Sequence, residues 1–163
     1  METKRLIRLS MMLAMALILG LIESSLPPLP VPGVKLGLAN IVNLIILYTD
    51  GFFESLSIAV IRVLLVSIFC GSLFSITFYI SLSGAIASVI GMFLIYNLFH
   101  NEISTITVSS FGAFIHISAQ LLTVSILMNT WDILYLFPLL SILGVATGVI
   151  TGIISSYILR LRL

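Results

Sequence analysis

Long apolar runs alternate with short polar interruptions along this chain, and the interruptions mark where its elements begin and end. Residues 6–26 form one apolar stretch closed by Pro27-Pro28. A second, 34–49, opens after Pro32-Gly33 and stops at Asp50-Gly51. A third, 52–70, is divided by Gly71-Ser72 from a fourth, 73–97. His100, Asn101 and Glu102 form a polar turn before a fifth run, 103–128, and the stretch 129–132 precedes a sixth, 133–159. Strands of a membrane barrel alternate polar and apolar over roughly ten residues. Runs that stay apolar for about 18 residues or more are helices. The pattern predicts an all-α integral membrane protein with six transmembrane helices in one bundle, a single membrane domain over 1–163. The second run is short. Its roughly 16 residues rise only ~24 Å, less than a hydrocarbon core of about 30 Å, so the proline-rich segment dips in to meet it or the bilayer thins there.

Charge sets the orientation. Lys4, Arg5 and Arg8 flank the first run, and Arg160 and Arg162 follow the last. Lys and Arg mark the cytoplasmic side, so both termini are expected there, which an even number of spans requires. The proline turn then faces outward. Trp131 and Tyr135 suit an outer aromatic belt, and Tyr48, Phe52 and Phe53 an inner one. The first 25 residues have the basic head and apolar middle of a signal peptide, but the apolar stretch continues to Leu26 and further spans follow, so they are read as the first span.

Composition narrows the function classes. The chain is 60% hydrophobic and 8% charged, against about 25% charged in soluble domains, with a mean hydropathy of +1.29. A net charge of +1 without a basic patch gives no reason to expect nucleic acid. Cys70 is the one cysteine and has no metal-ligand neighbours in sequence, so neither a disulfide nor a metal is expected. No cofactor motif is present.

Against that background the polar residues inside the spans need a reason, because an intramembrane charge costs about 2.5–3.5 kcal/mol on insertion scales. Arg62 lies near the middle of the third run and Glu23 in the outer third of the first. Arginine does not lose its charge. It therefore requires a carboxylate, carbonyls, water or an anionic solute. Two readings stay open: a structural Arg62–Glu23 pair, or a cavity in which Arg62 and Lys35 neutralise an anion. Lys35 is placed in the first turn of the second span, with Asn40 and Asn43 on nearly the same face. His116 and Gln120, four apart, share one face of the fifth span. Glu23, Lys35, Asn40, Arg62, His116 and Gln120 are the candidate solute-binding residues. Glu54 reads as a solvated helix-start acid, and Asp50, Glu102 and Asp132 as turn residues without a role. Small residues, Gly144, Gly148 and Gly152 in span six and Ala16 and Gly20 in span one, allow close helix approach.

The stretch "LIESSLPPLPVPGVKLGLANIVNLI", with "FYISLSGAIAS" at 78–88 and "GAFIHISAQ" at 112–120, resembles the Gx transporter family, also described as heptaprenyl diphosphate synthase component I. Where that family has His-Asn-x-Gly-Gln, this chain has His116-Ile-Ser-Ala-Gln120, keeping both ends of the motif. The family is similar to the substrate-binding S components of energy-coupling factor (ECF) transporters in the bacterial cytoplasmic membrane. The resemblance implies a six-helix, S-component-like fold with both termini cytoplasmic. It also implies docking on a transmembrane coupling protein through small residues of the first span, for which Ala16 and Gly20 are the candidates, with two ATPase subunits supplying energy. The chain has no Walker motif of its own. Nor has it the clustered aspartates with which prenyl synthases hold Mg²⁺ on a diphosphate. The expectation is a non-enzymatic importer subunit, contacting lipid and a small solute with an anionic group. The alternative is a non-catalytic accessory subunit of polyprenyl diphosphate or quinone synthesis.

Overall fold

In the computed structural model, which describes residues 2–26, 31, 34–99 and 103–161, every regular element is helical. The turn prolines at 27, 28, 30 and 32, the polar turn at 100–102 and Arg162 lie outside the described residues. The helices are α1 (Glu2–Ser25), α2 (Asn40–Thr49), α3 (Phe52–Phe69), α4 (Ile76–Phe99), α5 (Thr105–Leu127) and α6 (Phe137–Arg160), the last entered through a 3-10 turn at Asp132–Leu136. Five are long and apolar enough to cross a membrane; α2 is a shorter apolar helix. The chain is a multi-pass membrane protein. Helices suit it because each backbone N–H finds its acceptor within the same segment, away from lipid.

Local chemistry ends the helices near the predicted breaks. After α3, Gly71 takes φ +64° and the Ser72 N–H reaches back to the Ser67 carbonyl at 2.8 Å, a left-handed closure that glycine adopts without a Cβ penalty. Asn129 (φ +51°) does the same for α5, with Thr130 N–H on Ser125 O at 3.1 Å. Ser104 caps α5 by accepting the Thr107 N–H at 3.2 Å. Pro138 sits in the first turn of α6, where its missing N–H costs nothing.

The second element departs from expectation. Its helix begins at Asn40, not 34, and residues 34–37 are irregular with a turn at 38–39. Gly37 takes φ +82°, which interrupts a helix, and its N–H is held by the Glu23 carboxylate. Lys35 therefore stands in an irregular strap before the helix rather than in a first turn.

Three apolar clusters hold the bundle together. Leu44, Val63, Phe78 and Val89 centre the first, Ile80, Ile117, Leu121 and Leu140 the second, and Met12, Val42, Ile45 and Ile46 the third. Helix α5 packs most extensively against α6 and α4. Gly148 and Gly152 make that possible, since a Cβ on either would lie 2.6 Å from a Cα of α5. Helix α1 is tied at both ends. Near its N-terminus Arg8 binds the Asp50 carboxylate and Arg5 that of Glu54. Asp50 and Glu54 thus take structural roles that the sequence reading did not give them. Burial pushes the Asp50 carboxyl up, but hydrogen bonds from Thr49 and Arg8, with the charges of Arg8 and Arg5, outweigh it and hold the group below its ordinary 3.8. Arg8 and Arg160 line one cavity, so the two ends of the described chain meet at the same end of the bundle.

Candidate functional site

The strap at 34–39 is where the bundle gathers its polar residues. It is non-helical backbone between two apolar helices, and inside such a bundle it persists only where protein or a cavity satisfies it. Glu23 of α1 accepts the N–H groups of Gly37 and Leu38. Gln120 of α5 accepts the Lys35 N–H through Oε1 at 3.0 Å. Thr147 of α6 reaches the Leu36 carbonyl at 3.3 Å. Three helices therefore hold one short strap, and two of the anchoring residues were candidates from sequence.

Around it lie the remaining candidates. Asn40 donates to Ser88 Oγ of α4 at 3.0 Å, and Asn43 donates to Asn40 Oδ1 at 3.3 Å. His116 is 3% exposed. Its ring fits between two glycines: a Cβ on Gly84 would meet His116 Cε1 at 2.9 Å, and one on Gly37 would meet His116 Cδ2 at 3.4 Å and Nε2 at 3.5 Å. The Gly84 Cβ would also press on Gln120 Cγ at 2.7 Å. Neither glycine was singled out from sequence for this role, although Gly37, inside an apolar run after Pro32, carries the signal of a broken helix. Lys35 donates its ammonium to Ser24 Oγ at 2.8 Å.

Arg62 decides what the site can do. Its side chain passes Gly20, where a Cβ would lie 3.6 Å from Nη1, and it is 6% exposed. It makes no ion pair or hydrogen bond among the described residues. The Arg62–Glu23 pair considered from sequence does not form as a contact. Glu23 is engaged with the strap backbone, and acts on Arg62 only through the field between them. Lys35 and His116 also lie within Coulombic reach of Arg62. Several buried polar atoms here have no partner among the described residues: Arg62 Nε, Gln120 Nε2, His116 Nε2 and Asn43 Oδ1. The first two are donors, and the imidazole Nε2 donates or accepts according to its tautomer. A largely buried cation thus lies near donors that have no partner among the described residues.

The docking candidates point elsewhere. Ala16 is fully buried, and a Cβ on Gly20 would lie 2.8 Å from Val66 of α3. Both face into the bundle, where they let α1 and α3 approach. The outward face of α1 is formed by Met11, Met15, Ile18 and Ile22. Among the described residues no group of acids, histidines and cysteines has the arrangement of a metal site.

Comparison with curated proteins and with solved structures gave no match. A family match, by contrast, spans all three anchors of the strap, Arg62 and the His116–Gln120 face, running from residue 12 to residue 158. By that match the chain belongs to the heptaprenyl diphosphate synthase component I family.

Proposed function

We propose that the chain is the solute-binding membrane subunit of an ECF-like importer, taking up a small solute with an anionic group. The observation that carries this reading is Arg62, a buried guanidinium with no carboxylate in contact among the described residues. A charge of this kind in a membrane bundle is costly unless something of opposite sign visits it. Arg62 would take the anion, with Lys35 adding charge at the mouth and Gln120 and His116 donating to its oxygens or to an adjacent acceptor. Glu23 and Asn40 would act by holding the strap and α2 in place.

Six crossings with both termini cytoplasmic fit the same reading. The chain from Gly37 to Asp50 returns between the levels of Glu23 and Arg8 on α1, a height of ~22 Å by helix rise. The ten residues of α2 rise about 15 Å of it, and the residues flanking the helix cover the rest. A transmembrane coupling protein and two ATPase subunits belong to the reading through the resemblance to S components. With Ala16 and Gly20 turned inward, such a partner would meet the exposed methionines and isoleucines of α1.

A second reading is favoured by the family description itself: a non-catalytic membrane component of prenyl diphosphate synthesis. One experiment separates the two. Small molecules released from the purified protein are identified by mass spectrometry, wild type beside Arg62→Ala. A stoichiometric anionic molecule lost from the variant supports solute binding at Arg62. An empty wild type that instead copurifies with a soluble prenyl synthase supports the second reading.

A further inference from the structure

Glu23 and Arg62 stand beside the same turn of α1 without touching. A Cβ on Gly20 would lie 3.6 Å from Arg62 Nη1 and 3.9 Å from its Cδ. Glu23 follows Gly20 by three residues, so the two positions share a helix face, with about 5–6 Å between Cβ atoms. A glutamate and an arginine close a gap of that size by changing rotamers. The Glu23 carboxylate therefore has two sets of partners within reach. One is the strap, where it accepts the N–H groups of Gly37 and Leu38. The other is the Arg62 guanidinium, whose Nε has no acceptor among the described residues. Glu23 and Arg62 are 7% and 6% exposed, so water satisfies little of either. Lys35 is a further cation in Coulombic reach of Glu23, with its ammonium on Ser24 Oγ at 2.8 Å. Because Lys35 belongs to the strap, pairing with it would leave the strap tied to α1. Only a turn toward Arg62 releases it.

We propose that Glu23 is a shared carboxylate that couples the strap to occupancy of Arg62: an anion on Arg62 keeps Glu23 on the strap, and its departure lets Glu23 turn to Arg62 and free the strap. The inference rests on the reading of Arg62 as an anion site and adds how that site opens. A bound anion neutralises the guanidinium and repels the carboxylate, so the backbone donors are then its better partners. With the anion gone, the guanidinium offers a charge-assisted, bidentate pair, stronger than hydrogen bonds between neutral groups. Once Glu23 turns, Gly37 and Leu38 lose their acceptor, and the strap keeps only Gln120 on the Lys35 N–H and Thr147 on the Leu36 carbonyl. The structure shows the closed arrangement. The Arg62–Glu23 pair suggested by charge in the sequence is the open one. Coupling of this kind is reciprocal, so a change that holds Glu23 on the strap strengthens anion binding by the same factor.

The test is hydrogen–deuterium exchange of the strap, read by mass spectrometry on the full chain in nanodiscs after copurifying anions are removed. Arg62→Met deletes the competing partner, so exchange over residues 34–39 should slow about tenfold, the loss of one charged hydrogen-bond partner from the open arrangement. In a Glu23→Gln background the same substitution should change strap exchange by less than about twofold, because the effect passes through the carboxylate. Arg62→Lys keeps a cation and should return exchange toward the wild-type rate. Peptides from buried α5 report that the bundle is intact; if Arg62→Met loosens them, Arg62→Gln is read in its place. A carboxylate that only anchors the strap gives the opposite sign. Losing the nearby cation makes a buried carboxylate harder to keep charged, and strap exchange would then quicken or stay unchanged. Either result overturns the proposal, as does equal slowing in the Glu23→Gln background. The reading of Arg62 is tested separately. An anion lost from Arg62→Ala with no change in the strap of Arg62→Met overturns the coupling and keeps the importer. A slowed strap in a protein that carries no anion keeps the shared carboxylate and removes that reading.

Discussion

Replacing Arg62 by methionine should make the ligand-free protein more stable while removing its affinity for an anion. Methionine keeps an unbranched stem and removes the guanidinium. An arginine at mid-membrane costs about 2.5–3.5 kcal/mol on insertion scales, and Arg62 has no ion pair or hydrogen bond among the described residues to offset it. The field of Glu23 returns part of that cost, leaving a net gain of ~2 kcal/mol on substitution. For a chain of 163 residues, where 1 kcal/mol moves the midpoint by about 2–4 °C, Tm should rise by ~4–8 °C. On the binding side, truncating one member of a buried charge pair costs about 2–5 kcal/mol, a factor of roughly 30 to 5,000 in Kd. Thermal unfolding of the purified protein in detergent, with quantified copurifying anions, reads both effects. A lower Tm for Arg62→Met in the ligand-free state would refute the reasoning, because it would mean that the guanidinium is held by structure. Retention of the anion at the wild-type ratio would refute the other half.

Other substitutions probe the supports of the site. Gly37→Ala places a side chain at φ +82°, with its Cβ 2.8 Å from Asn40 Nδ2; solute retention should fall sharply, and a strap that tolerates alanine with full binding would contradict the geometry. Glu23→Gln keeps an acceptor for Gly37 and Leu38 but removes the charge facing Arg62, so stability should drop by about 1–3 kcal/mol; an unchanged midpoint would show that the carboxylate does not hold the strap. Gly148→Ala sets a Cβ 2.6 Å from the Ser110 Cα, where backbone must move, and should cost about 1–3 kcal/mol in thermal unfolding, whereas a neutral result would mean that α5 and α6 are not tightly apposed. Asp50, whose carboxyl is held below its usual value, contributes stability that is complete above the unfolded value of 3.8 and is lost as pH falls through the lower folded value. Wild type should therefore destabilise in acid below about pH 4 more steeply than Asp50→Asn; parallel curves would remove Asp50 from the account.

The long helices were legible because lipid leaves little choice: an apolar run of sufficient length must be helical, and its ends are written in Gly71, Asn129 and Ser104. The start of α2 was not. "VKLGLAN" continues the apolar run, and the event that breaks it is tertiary, the capture of the Gly37 N–H by Glu23 from α1 and of the Lys35 N–H by Gln120 from α5. The candidate site was legible as a set of residue types, since each polar side chain in a span needed a reason, and Arg62, His116 and Gln120 are buried together. Their partners were not. Glu23 was matched with Arg62 by charge, yet backbone donors hold it at shorter range. Asp50 and Glu54 looked like ordinary turn and helix-start acids, although the basic residues of α1 needed acceptors at that end. Ala16 and Gly20 show the limit of small-residue motifs, for such a pattern marks close approach without naming the neighbour.

The glycine contacts between α5 and α6 have a mechanical consequence. Where Cα lies almost against Cα there is no side-chain layer left to slide, and with α4 packed on the other side of α5 the three helices make a stator. The α1–α3 half is fastened differently, by ion pairs at one end, by a carboxylate on a strap at the other, and by small residues between. On the importer reading, a solute bound beside Arg62 would pass by displacement of α1 and the strap, with α4 to α6 as the fixed frame against which the movement is made.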